Sequence, residues 1–166
     1  LAFPRYNDPW LDRDSEPGRT YPGHLENILT DKALAVLSDL NNAHAPWFLN
    51  LWYYAPHEPV TPASEFAIKY PGTAAGRYRA LVNQLDHNIG RVISHLRTIG
   101  ALQNTIVVVV SDNGGTNTAV NSTAPFNGWK TTLLEGGLRT PLLIKWPEQS
   151  ISAHVYSDTV SIADIY

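Results

Sequence analysis

From Thr73 onward the apolar residues Tyr78, Leu81, Val82, Leu85, Ile89, Val92, Ile93, Leu96 and Ile99 recur every three or four positions. That spacing places them on one stripe of a long amphipathic helix, and Gly100, at ease with a positive φ, is placed to close it. A shorter stripe of Ala33, Leu34, Leu37 and Leu40 predicts a helix from Thr30 to about Asn42. The Thr30 hydroxyl is its expected N-cap, accepting from an otherwise unpaired backbone N–H.

Other runs have the chemistry of strands. Trp47 to Tyr54 is dense in aromatic residues, bounded by prolines and too short for a typical helix, so a buried strand is expected there. The two prolines of Ala55-Pro56-His57-Glu58-Pro59 then remove backbone donors and bend the chain out of the sheet, which leaves His57 just past a strand's carboxyl end. Thr105 to Val110 is continuously apolar and β-branched. A strand without polar alternation is expected to be covered on both faces, as in a parallel sheet flanked by helices. A further strand is expected over Pro141 to Trp146, ended by Pro147. Helix, short loop and apolar strand in succession imply a layered α/β fold. Leu1 to Gly23 shows no sustained periodicity and reads as an irregular surface segment, and Asn113 to Gly128 reads as a Gly/Asn/Thr-rich loop.

Composition narrows the classes. With 43% hydrophobic and 16% charged residues, the 166-residue chain has enough apolar surface to offset the entropy of ordering, which excludes a disordered tail. The net charge of -3, with no Lys/Arg cluster, excludes a phosphate-neutralising stripe, so nucleic acid is not an expected partner. No apolar run approaches the roughly 18 residues of a membrane span. The absence of cysteine removes disulfides, thiolate metal sites and a cysteine nucleophile from these residues, and leaves localisation open. The chain starts at Leu1 without methionine and stops inside the apolar pattern Val160, Ile162, Ile165, which looks like an unfinished helix. We read it as a fragment of one domain, with residues 1–28 irregular.

Ser111-Asp112-Asn113-Gly114-Gly115 follows directly on an apolar strand, and open α/β sheets bind ligands outside the carboxyl ends of their strands. Asp112 offers a carboxylate and Asn113 a carbonyl oxygen, the ligand types that calcium or magnesium takes, though by composition alone the same residues make an ordinary turn. His57, between prolines, is by default a packed or half-exposed loop residue, and Lys130 a solvated one. His24, His44, His87, His95 and His154 lack metal-ligand spacing: His87 and His95 are eight residues apart, not the four of a helical zinc pair. Asn121-Ser122-Thr123 fits a glycosylation triplet of low specificity.

Taken in order, Ala55 to Pro59, Leu85-Asp86-His87-Asn88-Ile89-Gly90, Ser111 to Gly115, Lys130, Glu135-Gly136-Gly137-Leu138-Arg139-Thr140-Pro141 and Lys145-Trp146-Pro147 resemble the type I sulfatases, such as the arylsulfatases. The resemblance covers residues 29–166. It implies an α/β fragment of a layered α/β/α catalytic domain with a mostly parallel central sheet, from the rear of a member of the alkaline phosphatase superfamily. It implies Asp112 and Asn113 as ligands of calcium, with magnesium as the alternative. His57 is implied as the histidine that contacts the sulfate and the ester oxygen, and Lys130 as the lysine that binds sulfate. The implied substrate is a sulfated small molecule or glycan, and the implied compartments are exported, periplasmic or lysosomal. Glu135 to Pro141 is taken as a structural turn, with Arg139 in a scaffold ion pair.

Two departures from the family pattern stand out. The family's lysine usually lies between glycines, whereas Trp129 and Thr131 flank Lys130. The family's nucleophile, a formylglycine, and its first aspartate pair are expected upstream of these residues. Ser15-Glu16-Pro17-Gly18-Arg19 mimics the nucleophile motif but stands too close to His57 and precedes no apolar helix. Calcium takes about six to eight oxygens, more than Asp112 and Asn113 supply, so the piece alone is expected to bind metal weakly and hydrolyse nothing without the remainder of its own catalytic domain. Three functions stay open at this point: a sulfatase, a phosphonate monoester hydrolase or phosphodiesterase of the same superfamily, and a non-catalytic sulfatase-like binding protein.

Overall fold

The computed structural model describes residues 5–14, 16–117, 123–147, 149 and 153–165. In chain order they form β1 (Trp10–Arg13), β2 (Glu16–Thr20), α1 (Leu25–Asn42), α2 (Ser64–Ala67), α3 (Ala74–Thr98), β3 (Val107–Val110), α4 (Glu135–Leu138) and β4 (Leu142–Lys145), with 3-10 turns at Leu102–Asn104 and Ile162–Ile165.

The long stripe forms α3 where its period placed it. Thr73 caps the helix by accepting from Gly76 N at 3.1 Å, and Gly100 follows the last turn at φ 75°. The buried face of α3 meets α1 in two apolar clusters. Leu37, Leu96, Ala101 and Leu102 form one, against which Trp47, Leu49, Val92, Ile93 and Val107 pack. Tyr6, Leu25, Ala55 and Leu81 form the other. Full burial of a leucine such as Leu37 or Leu81 contributes about 1.5–3 kcal/mol, so these clusters fix how the helices sit.

Helix α1 starts five residues earlier than its apolar stripe suggests, and its cap is His24, not Thr30. The His24 Nδ1 accepts from Glu26 N at 3.3 Å, while the Thr30 hydroxyl donates back to Glu26 O at 2.7 Å inside the helix. Imidazole is an uncommon cap, which is why the polar residues usual at that position misled the reading. His24 Nε2 lies 2.9 Å from Thr61 O and therefore donates. Its Nδ1 then accepts from Gln84 Nε2 at 3.0 Å as well as from the Glu26 amide. The ring is thus held as a neutral tautomer, and burial pushes its pKa down, against the opposing Thr61 bond.

Trp47 to Tyr54 is not a hydrogen-bonded strand among the described residues, and it is not buried on both sides. Its burial nevertheless alternates with the period of a strand: Trp47, Leu49, Leu51 and Tyr53 are partly covered, whereas Phe48 and Trp52 are 76% and 80% exposed. One face rests on the helical layer and the other is open. The strand expected at Thr105 to Val110 forms as β3, and Pro141 to Trp146 supplies β4. These two pair antiparallel, Val107 opposite Lys145 and Val110 opposite Leu142. The α/β class holds, but both strand pairs among the described residues are antiparallel rather than parallel. β3 is half-exposed, not covered on both faces.

The N-terminal stretch also departs from expectation. β1 and β2 form an antiparallel hairpin, and Tyr6, at 2% exposure, belongs to the core. A single anchoring aromatic leaves no periodic trace, so pattern reading passes over it. The apolar pattern at the end of the chain forms an exposed 3-10 turn. Among the described residues, no helix is long and apolar enough to cross a membrane. Asn121 and Ser122 of the glycosylation triplet, and Ser15 of the nucleophile-like motif, lie outside the described residues.

Candidate active site

β3 delivers the chain into Ser111–Gly115 at its carboxyl end. The β3–β4 pairing runs on one step beyond the strands, Ser111 N donating to Pro141 O at 3.3 Å, and the Ser111 hydroxyl donates to Asn113 O at 3.0 Å. Asn113 Nδ2 donates to Gly114 O at 2.8 Å. With the amide nitrogen engaged by the backbone, Asn113 Oδ1 makes no hydrogen bond among the described residues. Asp112 is exposed, and among the described residues nothing donates to its carboxylate.

Backbone bonds then draw two further segments onto this loop. Gly114 N donates to Gly137 O at 3.0 Å, Lys130 N to Gly115 O at 2.7 Å, and Gly136 N to Asn127 O at 2.7 Å. The approach is so close that a Cβ on Gly114 would collide with Gly136 O, and one on Gly136 with Gly128 O. Glycine is required here by space rather than by dihedral freedom. The Glu-Gly-Gly turn therefore acts as a backbone latch that holds the segment carrying Lys130 against the Gly114–Gly115 end of the loop. Arg139 stays with the scaffold: it pairs with Glu135 at 3.3 Å, and its guanidinium lies 4.7 Å from the Phe126 ring centroid.

The unusual neighbour of Lys130 has a conformational consequence. Thr131 adopts φ 81°, in the left-handed region that a β-branched residue rarely enters. Thr131→Gly is therefore expected to stabilise the protein by about 1–2 kcal/mol, read as a raised thermal midpoint. An unchanged or lowered midpoint would count against strain at this residue.

His57 is held by a separate set of contacts. Its ring stacks on Tyr54 at 4.9 Å, its amide donates to Tyr54 O at 3.0 Å, and its Nδ1 lies 2.7 Å from Glu58 O. A carbonyl only accepts, so Nδ1 carries a proton and Nε2 is the nitrogen left for other partners. The ring is exposed. Backbone bonds bring Lys130 to the Asp112–Asn113 loop; among the described residues, no bond links His57 to that group.

Sequence reading missed what holds the His57 turn. Glu26, 0% exposed, accepts from Ala55 N at 2.8 Å and Tyr54 N at 3.2 Å through Oε1, while its Oε2 has no hydrogen-bond partner among the described residues. Burial pushes the Glu26 carboxyl up to about 7, opposed by those two N–H donors. The Tyr6 hydroxyl donates to His57 O at 2.8 Å, and burial, then the nearby Glu26, raises its pKa. A signal for Glu26 was present in the spacing: Glu26, Thr30, Ala33 and Leu37 lie on one helical stripe, and all are buried.

Asp112 and Asn113 fit a hard cation by donor chemistry, one exposed carboxylate and one half-buried side-chain amide oxygen. They make only part of an oxygen shell. Among the described residues no group of three or more His, Cys, Asp or Glu side chains converges as a metal site.

Comparison with known proteins gives a consistent result. The family model described as Sulfatase matches residues 2–166. A sulfatase of Formosa agariphila is 31% identical over 156 residues, covering 85% of this chain and 27% of that protein. N-acetylgalactosamine-6-sulfatase of Mus musculus is 31% identical over 153 residues, covering 89% of this chain and 29% of that protein. The crystal structure of Ps i-CgsB in complex with k-i-k-neocarrahexaose superposes with a TM-score of 0.76 at 27% identity, covering 81% of this chain and 30% of that one. The chain thus spans less than a third of the length of these relatives.

Proposed function

The chain belongs to the sulfatase family, and from that premise we propose that it supplies the proton donor, the anion-binding lysine and half of the metal ligands for hydrolysis of a carbohydrate or aryl sulfate ester by the full-length protein. The observation that carries the reading is the 2.7 Å bond from Lys130 N to Gly115 O, which ties a cationic residue to the Asp112–Asn113 loop at the end of β3. A carbohydrate substrate is supported by the name of the mouse relative and by the oligosaccharide in the neighbouring crystal structure.

Asp112 and Asn113 would hold calcium, with magnesium as the alternative. Such a cation, when bound, draws charge from the sulfate oxygens and orients the nucleophile, a formylglycine expected from the part of the protein outside these residues. Lys130 contributes a fixed positive charge toward the sulfate, stabilising the charge that develops there. His57 gives a proton to the leaving ester oxygen. Because Nδ1–H is committed to Glu58 O, the donating form is the imidazolium with its second proton on Nε2. Loss of that proton leaves a neutral ring with the Glu58 bond intact, so the ring need not reorient between turnovers.

The test is to express the full-length protein and measure sulfate release from an aryl sulfate and from N-acetylgalactosamine 6-sulfate. Sulfate release from either supports the reading; hydrolysis of phosphate diesters or phosphonate monoesters with no sulfate release overturns it. Within that assay, Lys130→Ala is expected to lower kcat about a hundredfold and weaken inhibition by inorganic sulfate, with the fold unchanged by circular dichroism. Undiminished sulfate inhibition would remove Lys130 from the anion site.

A further inference from the structure

We propose that Glu26 and Tyr6 are positioning residues for His57, a buried clamp that sets where its imidazole stands. The inference rests on the reading of His57 as the proton donor.

Two elements far apart in sequence grip the same short turn. From α1, a single carboxylate oxygen, Glu26 Oε1, gathers the consecutive amides of Tyr54 and Ala55, the two residues that lead into Pro56 and His57. From the N-terminal segment, the Tyr6 hydroxyl donates to the carbonyl of His57 itself. Tyr54 completes the grip: its ring lies 5.2 Å from Tyr6 and 4.9 Å from His57, and its hydroxyl donates to the Glu58 O that also accepts from His57 Nδ1. The turn is thus held on its entry amides, its central carbonyl and one ring face. His57 at its tip is exposed, whereas Tyr6 and Glu26 are buried and Tyr54 is half-buried.

An acid in the first turn of a helix is favoured by the helix dipole, but that benefit does not require the side chain to be buried. Glu26 stands on the core face of α1, where an apolar residue would be cheaper, because a buried carboxylate without a full set of donors is costly. Among the described residues, its two side-chain bonds both go to the His57 turn. Pro56 and Pro59 contribute no amide donors, so the turn has few bonds of its own, His57 N to Tyr54 O among them, and Glu26 and Tyr6 add the bonds that fix its entry amides and the His57 carbonyl from outside. A displacement of the imidazole of the order of 1 Å is enough to impair proton donation to a bound ester.

Steady-state kinetics of the full-length enzyme on an aryl sulfate provide the test, with Tyr6→Phe, Glu26→Ala, Glu26→Gln, His57→Ala and the double variant Tyr6→Phe/His57→Ala. Tyr6→Phe and Glu26→Ala are expected to lower kcat about tenfold or more while KM moves by less than about twofold. Glu26→Gln, which keeps an oxygen for both amides, recovers most of the loss seen with alanine. In the double variant the Tyr6 change adds nothing, because the group it positions is gone. Tyr6→Phe removes only a hydroxyl, so it reads the effect even where Glu26→Ala yields little folded enzyme. If His57→Ala lowers turnover strongly but measurably while Tyr6→Phe lowers only the thermal midpoint, or lowers kcat equally with and without His57, the clamp is structural and the proposal fails although the role of His57 stands. If His57→Ala leaves kcat intact, the proton-donor reading fails and takes this inference with it.

Discussion

Asp112→Ala in the full-length protein is expected to lower metal affinity and turnover together, turnover by about a thousandfold. The magnitude follows from removing about 4 kcal/mol of transition-state stabilisation, the scale of a Lewis acid at a reacting anion. The substitution is suited to the question because Asp112 is exposed and, among the described residues, its side chain makes no bond that shapes the loop. The loop is fixed by Ser111, Asn113 and Gly114, through Pro141 O, Gly114 O and Gly137 O. Alanine at 112 therefore removes a ligand without disturbing the backbone latch that seats Lys130. Calcium titration by calorimetry, alongside kcat, separates the two readouts. A variant that binds calcium as the parent does, or turns over normally, would detach Asp112 from the metal.

How much could be read from the chain differs from element to element, for physical reasons. α3 was legible because nine apolar residues keep one period along most of it, although only Leu81 and Leu96 of them are fully buried, Val82 is exposed, and the buried Gln84 and Asn88 left no apolar signal. Trp47 to Tyr54 was half legible. Its composition and its alternating burial are those of a strand, but a ladder requires a partner, and which segment lies beside it is not encoded locally. The same holds for β3, whose apolar run says that it is a strand without saying that β4 will pair with it antiparallel. The hairpin and Tyr6 were not legible, since one hydroxyl bonded to His57 O lies 51 residues away in sequence. At the candidate site, the positions of Asp112 and Asn113 followed from the strand before them. The link to Lys130 runs through glycines whose role is to be absent in volume, and only coordinates reveal the collisions that any side chain there would cause. Glu26 was legible in principle: an acid in phase with Thr30, Ala33 and Leu37 is a polar group on a core stripe, and such a group always needs an explanation.

That acid also makes the fold sensitive to pH in a direction opposite to the usual carboxylate. Most structural carboxylates have depressed pKa values and lose their contribution as pH falls. Glu26 is held near 7 by burial, against 4.5 for an ordinary glutamate, so the folded protein takes up a proton there more readily than the unfolded chain. Its contribution to stability is therefore fully present below about pH 4.5 and is lost as pH rises through about 7, a difference of about 3 kcal/mol. Glu26→Gln mimics the protonated acid at every pH, keeping an oxygen for the amides of Tyr54 and Ala55 without a buried charge. It is expected to be about as stable as the parent at pH 4.5 and more stable by about 3 kcal/mol at pH 8. Taking the difference between parent and variant cancels the titration of His24, whose buried neutral ring works in the opposite sense in acid. Denaturant unfolding of both proteins at several pH values between 4.5 and 8 reads the gap directly. A gap that stays flat across that range would mean that Glu26 titrates as an ordinary glutamate, and that the two amides hold its charge as well as water does.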